Sequence, residues 1–166
     1  MFTINQYVLL AVVGIVLSAP AMATEATGDP IASVPGRMVC QSRTVTIGEK
    51  SVDAKLCVTG GNFGHDKYAV KIGWSTVVEG IDDETTTGIS GAYKGVPVAL
   101  TCVPQHKAPA EGDSMVESMA KSLAGRPGTS PEEAHDMAVK MLTTEVGRLC
   151  TFRQGEHDLM AVQVNF

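Results

Sequence analysis

The sequence has few aromatic residues and fewer basic than acidic residues. Aromatic residues make up 5% of the chain, and 18 acidic residues outnumber 13 basic ones, for a net charge of −5. Nucleic-acid binding requires a basic surface and often aromatic platforms for the bases, and anionic membrane surfaces attract basic segments. The composition therefore argues against a nucleic acid and against an anionic membrane surface as the partner.

Long apolar runs are absent after residue 23, so no membrane span is predicted in that part of the chain. The stretch from Tyr7 to Ala19 is apolar and uncharged, but it is shorter than the roughly 20 residues of a spanning helix. Ala-Met-Ala follows at 21–23 and fits the small-residue rule for signal cleavage. We predict that residues 1–23 are a cleaved signal peptide and that the protein is periplasmic or secreted. Because no Lys or Arg precedes the apolar stretch, an uncleaved anchor is the alternative.

The rest of the chain divides into a short lead-in and one domain. Residues 24–37 are small, polar and interrupted by two prolines, which indicates a flexible N-terminal lead-in. Residues 38–166 are predicted to form a single α+β domain, because a chain of this length buries about two-thirds of its unfolded surface in one core.

Motifs of common hydrolases and zinc proteins are also missing. The sequence contains no G-x-S-x-G, no C-x-x-C and no H-E-x-x-H. Ser118 and Lys121 have S-x-x-K spacing but fall inside a predicted helix, and the glycine-rich stretch 60–66 precedes a strand where a phosphate loop would precede a helix. We therefore predict no catalytic residue, no metal site and no cofactor. A hydrolase that pairs His65 or His157 with a nearby carboxylate is an alternative, as is a redox or metal-handling protein.

The four cysteines give the clearest structural prediction. If residues 48–49 form a two-residue hairpin turn with glycine first, Cys40 lies opposite Cys57 at a pair where side chains approach closely. We predict a disulfide between them, and by elimination a second between Cys102 and Cys150. On loop entropy the shorter bridge should stabilise by about 3 kcal/mol and the longer one by about 4 kcal/mol.

Alternating apolar residues predict several strands. The stretch 67–78 is predicted to be one strand, whose buried face would carry Tyr68, Val70, Ile72 and Trp74. A further strand is predicted at 96–103. Two more are expected near the end of the chain, from Cys150 to Gln154 and after a turn around Gly155.

Two segments, 113–125 and 129–149, have helical periodicity. Ser130, Pro131 and Glu133 form the capping sequence of the second helix. The predicted fold is therefore α+β: an antiparallel sheet of about five to six strands, stabilised by disulfides, with a two-helix hairpin packed on one face and inserted before the C-terminal strands.

Four methionines repeat at helical spacing: Met115, Met119, Met137 and Met141. Thioethers can bind copper(I), but methionines at this spacing more often fill a core. We predict that they lie on the inner faces of the two helices.

The polar stretch 81–95 is the longest predicted connection between strands, and long loops on a rigid scaffold often carry binding sites. It lacks the alternating oxygen ligands of a calcium loop. The predicted binding residues are Asp82, Asp83, Glu84, Tyr93 and Lys94. The favoured function is an exported, disulfide-stabilised domain that binds a protein or envelope component, in the manner of an inhibitor or immunity protein, without catalysis.

Overall fold

The computed structural model describes residue 26, residues 28–62 and residues 64–166. The predicted signal peptide, residues 1–23, lies outside the described residues. Within the described part of the chain, no helix is both long enough and apolar enough to cross a membrane.

The described residues form two β-sheets and three helices. In chain order the elements are β1 (Ile31–Ala32), β2 (Met38–Ile47), β3 (Lys50–Thr59), β4 (Lys67–Ile72), β5 (Ser75–Ile81), α1 (Asp82–Thr87), β6 (Ile89–Tyr93), β7 (Val96–Lys107), α2 (Ser114–Ala124), α3 (Pro131–Leu142), β8 (Thr144–Gln154) and β9 (His157–Asn165). One sheet has the order β2-β3-β4-β5 and the other the order β1-β9-β8-β7-β6. The predicted α+β class is confirmed, but the strands form two sheets and not the single sheet that was predicted.

The two sheets enclose one apolar core. Its fully buried side chains come from both sheets, and the largest are Tyr68, Leu56, Leu100, Phe152 and Met160. At one side of the core the edge strands β5 and β6 lie against each other. There a Cβ atom on Gly91 would lie 2.0 Å from the Val77 carbonyl oxygen, so this contact between the sheets requires glycine.

The predicted cysteine pairing is confirmed. In the β2–β3 hairpin Cys40 pairs with Cys57, and in the β7–β8 pair Cys102 lies opposite Cys150. Both pairs are disulfide-bonded, and no free cysteine occurs in the described part of the chain. The second bond joins the two strands that flank the helical hairpin, as expected.

The predicted strand 67–78 is wrong at its centre. Gly73 has a φ of 59°, and with Trp74 it forms the turn of a hairpin in which Ile72 pairs with Ser75. Trp74 is therefore fully exposed at the tip of the hairpin, although its alternation with Tyr68 placed it on the buried face. The reason is that Trp74, a turn residue, continues the apolar alternation in the sequence, whereas the two-residue turn places Ile72 and Ser75, three positions apart, opposite each other on one face.

Part of the expected flexible lead-in is paired with the sheets. β1 runs parallel to the end of β9, with Ile31 beside Val164. Pro35 forms a bridge with Gly60. This segment, which belongs to the range 24–37, fixes the N-terminal side of the domain against both sheets.

The helical hairpin does not pack on a sheet face as predicted. α2 and α3 form a small apolar cluster of their own, centred on Val116, Leu123, Ala134 and Ala138. Met115, Met137 and Met141 are exposed, so the prediction that the methionines fill the core is wrong for these three. The alanines provide the close contact between the helices, and the longer methionine side chains point outward.

α3 begins as predicted but ends earlier. Ser130 Oγ accepts from the Glu133 amide at 3.2 Å, and the Ser130 amide donates to Glu133 Oε2 at 2.9 Å. The helix ends at Leu142, and residues 144–149, which were predicted to be helical, form the start of β8. Pairing with β7 therefore overrides the helical periodicity of this segment.

The elements separate into two ends of the molecule. Four hairpin turns, at residues 48–49, 73–74, 94–95 and 155–156, lie at the turn end. α1, the helical hairpin, the N-terminal segment and the end of β9 lie at the opposite end, which we call the helix end.

Candidate functional site

The helix end contains a cleft of about 380 Å³ between the two sheets. Four charged side chains line it: Asp66, Asp82, Glu145 and Arg148. Pro35 and Phe166 contribute apolar surface to its lining. The cleft therefore combines residues from the N-terminal segment, the β3–β4 connection, α1, β8 and the end of β9.

Arg148 organises one wall of the cleft and is 6% exposed. Its Nε–H donates to Glu145 Oε1 at 2.7 Å, and its Nη2 lies 3.5 Å from Glu145 Oε2. Nη1 donates to the Asp82 carbonyl oxygen at 2.7 Å and to Thr86 Oγ1 at 2.8 Å. Arg148 therefore ties β8 to α1 and is neutralised by Glu145.

Asp66 also lines the cleft, and its carboxylate is held by two donors. Ser33 Oγ donates to Asp66 Oδ2 at 2.7 Å, and the Gly61 amide donates to Oδ1 at 2.9 Å. The Asp82 amide donates to the Asp66 carbonyl oxygen at 3.1 Å. The carboxylates of Asp66 and Asp82 therefore project from two neighbouring chain segments that are hydrogen-bonded to each other.

Asp82 also contacts a histidine at the edge of the cleft. His65 Nδ1 lies 2.6 Å from Asp82 Oδ1 and 3.7 Å from Asp83 Oδ2. One ligand atom from each of the three residues lies within 4.8 Å of the others, so the group could hold a metal ion. His65 and Asp83 are exposed, however, and the same contacts also fit an ordinary hydrogen bond between side chains on the surface.

The buried hydroxyl of Tyr68 lies close to the cleft. Tyr68 is fully buried, and its hydroxyl has no hydrogen-bond partner among the described residues. Burial raises the pKa of Tyr68 strongly, and the charges that add to or oppose this shift belong to Asp66, Arg148, Asp82 and Glu145. The same four residues line the cleft, although Tyr68 itself does not.

The predicted binding residues divide between the two ends of the molecule. Asp82, Asp83 and Glu84 form the first turn of α1 at the helix end. Tyr93 is the last residue of β6 and Lys94 follows it in the turn, both at the turn end. The segment 81–95 is therefore a helix and a strand where a continuous loop was predicted.

Each predicted residue has a definite local role. Glu84 Oε2 accepts from the Ile81 amide at 3.0 Å and so caps α1. Lys94 Nζ lies 5.3 Å from the centre of the Tyr93 ring, within the range of a cation–π contact. Tyr93 and Lys94 both line a smaller depression of about 180 Å³ beside the Gly48 turn. The structure thus brings Asp82 into the cleft and places Tyr93 and Lys94 away from it.

Asp66, Glu145 and Arg148 are cleft residues that the sequence analysis missed. No local pattern marked Arg148 as a cleft residue, because residues 129–149 have helical periodicity and a helix would separate it from the strands. Asp66 lies in a stretch that was interpreted as a turn. A local sequence pattern also cannot connect Arg148 with Asp82, because the two residues are far apart in the chain.

The described residues of the cleft show no serine–histidine pair. Ser33, the hydroxyl that lines the cleft, donates to Asp66, whereas His65 contacts Asp82. His157 begins β9 at the turn end, away from this site. A nucleophile with an adjacent base, as acyl transfer requires, is therefore not assembled among these residues.

No protein-family model matches this chain, and neither does a curated protein or a solved structure.

Proposed function

We propose that this protein is an exported, non-catalytic domain that binds a protein partner through the cleft at its helix end. An inhibitor or an immunity-type protein is the concrete form of this proposal. The observation that carries it is the cleft itself, in which four charged side chains are fixed by hydrogen bonds before any partner binds. Preorganised polar groups reduce the entropic cost of association.

The two disulfides support an exported protein. Both bonds are formed, and disulfides persist in oxidising compartments such as the bacterial periplasm or the extracellular medium. Together with the predicted signal peptide at residues 1–23, they support a periplasmic or secreted protein. In a binding domain the two disulfides would keep the strands that carry the cleft aligned, so that the binding surface keeps its shape outside the cell.

The chemistry of the cleft favours binding over catalysis. Arg148, Asp66 and Asp82 are each engaged by neighbouring groups of this chain. Catalytic groups require access to a reacting atom, whereas recognition requires only that charges and shape be held in place.

Site-specific photo-crosslinking tests the proposal. Phe166, which lines the cleft, is replaced by a photoreactive phenylalanine, and the exported protein is irradiated in its native host. The matched control carries the same group at Tyr93 in the turn end. We expect a discrete protein adduct from position 166, whose identity is then confirmed by affinity measurements with the purified partner.

Adducts from position 93 alone would move the binding surface to the turn end and contradict the role of the cleft. An absence of adducts from both positions would contradict protein binding altogether.

A second candidate function is an envelope hydrolase, which the contact between His65 and Asp82 at 2.6 Å favours. A carboxylate can orient a histidine that acts as general base. This candidate predicts a bell-shaped pH dependence on cell-wall substrates that His65→Ala abolishes. The absence of turnover across such substrates, by the disulfide-intact protein, would exclude it.

A further inference from the structure

We propose that the helical hairpin binds a copper(I) ion through the thioether sulfurs of methionines on one of its flanks. The candidate ligands are Met115 and Met119 of α2 and Met137 and Met141 of α3. The site lies outside the cleft, on a unit with its own apolar cluster. The inference therefore goes beyond the proposed function and does not depend on a protein partner.

The exposure of these methionines separates two explanations for their helical spacing. Methionines at such a spacing either fill a core or provide soft ligands. In the structure Met115 is 63% exposed and Met141 is 64% exposed, and Met137 is also exposed. Packing between the helices therefore accounts only for Met119, which is half-buried against the apolar cluster. The other three are free to bind a ligand.

All four methionines lie on the same flank of the hairpin. The opposite flank is marked by a depression that Glu117 of α2 lines together with His135 and Val139 of α3. Each methionine is two positions away from one of these three residues in the sequence. Two residues along an α-helix rotate a side chain by about 200°, so each methionine points to the other side of its helix.

The two helices are close enough for sulfurs from both to meet. The start of α2 lies beside the end of α3, since Met115 and Leu142 line one depression. Met115 is thus level with Met141, and Met119 with Met137. Alanines at the contact between the helices allow an interaxial distance of about 8 Å, and positions four apart on one helix have Cβ atoms about 5–6 Å apart. The flexible methionine side chain spans such distances.

The ligand atoms select copper(I). Thioethers are soft ligands that favour copper(I), whereas calcium and magnesium take oxygen ligands and zinc takes imidazole or thiolate. Every cysteine in the described part of the chain is in a disulfide, so methionine provides the soft ligands that remain there. A thioether cannot be lost to disulfide formation, which suits a soft site in an oxidising compartment.

The charge of the insertion also favours a cation. Residues 108–143, which include both helices, contain six acidic and three basic residues. Glu133 and Asp136 line a depression of about 390 Å³ together with Met137 and Lys140. The excess of negative charge raises the local concentration of cations around the neutral thioethers.

Competition with a chromogenic copper(I) chelator under anaerobic conditions tests the proposal on the disulfide-intact protein. We expect the protein to withdraw one copper(I) ion per chain from the chelator. The double variant Met115→Leu with Met141→Leu should lower the affinity for copper(I) by roughly tenfold or more, because leucine fills a similar volume without a sulfur. Met38→Leu is the matched control, since Met38 is also exposed but lies on β2, and it should leave the affinity unchanged.

The methyl resonances of methionine identify the ligands directly. Six of the eight methionines follow residue 23, and each can be followed by NMR in protein labelled with carbon-13 at the methionine methyl group, because copper(I) is diamagnetic. We expect saturable shifts for methionines of the helical hairpin. Met38 and the buried Met160 should keep their resonances.

Equal affinities for the native protein and the double variant would overturn the inference, as would a failure to withdraw copper(I) from the chelator. A loss of affinity in His135→Asn as large as that in the double variant would place the ion on the opposite flank and also overturn it. None of these results bears on crosslinking from position 166. A failure here leaves the proposed function standing, and a failure of crosslinking leaves the copper(I) site standing.

Discussion

The guanidinium of Arg148 donates to the main-chain carbonyl of Asp82 at 2.7 Å and so connects β8 with the first residue of α1. Arg148→Lys should lower the free energy of unfolding by about 2 kcal/mol, because a lysine cannot keep the forked bonds to Glu145, Asp82 and Thr86. Urea denaturation of the native protein and the variant measures this loss.

Arg126 provides the matched control, since it is exposed between the two helices. Arg126→Lys should change stability by less than about 0.5 kcal/mol. A loss in Arg148→Lys as small as that of the control would show that the bonds of Arg148 do not hold α1 in place.

Tyr68→Phe should not destabilise the protein, in contrast to most changes at a fully buried residue. The substitution removes a hydroxyl without a hydrogen-bond partner among the described residues and keeps the ring. We expect a gain of up to about 1 kcal/mol in the free energy of unfolding, because the desolvation cost of the hydroxyl disappears. A loss of more than about 1 kcal/mol would show that the hydroxyl has a partner in solution.

The same substitution should change the stability at alkaline pH. Burial raises the pKa of Tyr68 above its ordinary value, so the folded protein keeps the proton that the unfolded chain releases. The contribution to stability is therefore complete below the ordinary pKa of about 10 and is lost as the pH rises above it. Thermal unfolding followed from neutral pH to above the ordinary tyrosine pKa of about 10 should show a steeper loss of stability in the native protein than in Tyr68→Phe, with Tyr93→Phe behaving like the native protein.

The capping box of α3 should make this helix sensitive to acid. Hydrogen bonds from the Ser130 backbone amide and from the Ser130 side chain lower the pKa of Glu133. The stability that this ionised carboxylate contributes is therefore present above the ordinary pKa of a glutamate and is lost as the pH falls through the lowered pKa. Glu133→Gln should reduce this acid dependence, measured as the loss of helical circular dichroism. Glu132→Gln, one residue earlier in the same turn, is the control and should retain the native profile.

The two disulfides should differ in both stability and accessibility. They close loops of 17 and 48 residues, so replacing the pairs by alanine should cost about 3 kcal/mol for 40–57 and about 4 kcal/mol for 102–150. Cys40 is exposed, whereas Cys102 and Cys150 are fully buried. A mild reductant should therefore open the 40–57 bond first, since exchange requires access to a sulfur.

Timed alkylation followed by peptide mass analysis measures the order of reduction. Earlier labelling of Cys102 and Cys150 would contradict the burial of that bond between β7 and β8.

The sequence predicts those parts of the fold that depend on local pairing. The turn at residues 48–49 places Cys40 opposite Cys57 by counting along a hairpin, and Ser130 with Glu133 marks the start of α3 because both bonds lie within one turn. Trp74 was misplaced because the turn at Gly73 leaves the alternation of apolar residues unbroken. Once a turn is known, counting residues along the hairpin therefore predicts which residues pair, but the alternation of apolar residues does not show where a strand turns back.

The cleft depends on contacts that local pattern does not contain. Arg148 meets Asp82 across 66 residues of sequence, and Ser33 meets Asp66 across 33. Asp82 was included among the predicted binding residues because it lies in a polar segment, but its companions come from β8 and from the β3–β4 connection. Only the packing of the two sheets brings these charges together.

The chain enters and leaves the helical hairpin through two neighbouring, paired strands, β7 and β8. β7 and β8 stay paired as far as Lys107 and Thr144, and the intervening helices carry their own apolar cluster. A short turn could therefore rejoin the strands, and another insert could take the place of residues 108–143 without touching the side chains that form the cleft. The two-sheet frame and the helical hairpin are thus two packing units, each with its own apolar cluster.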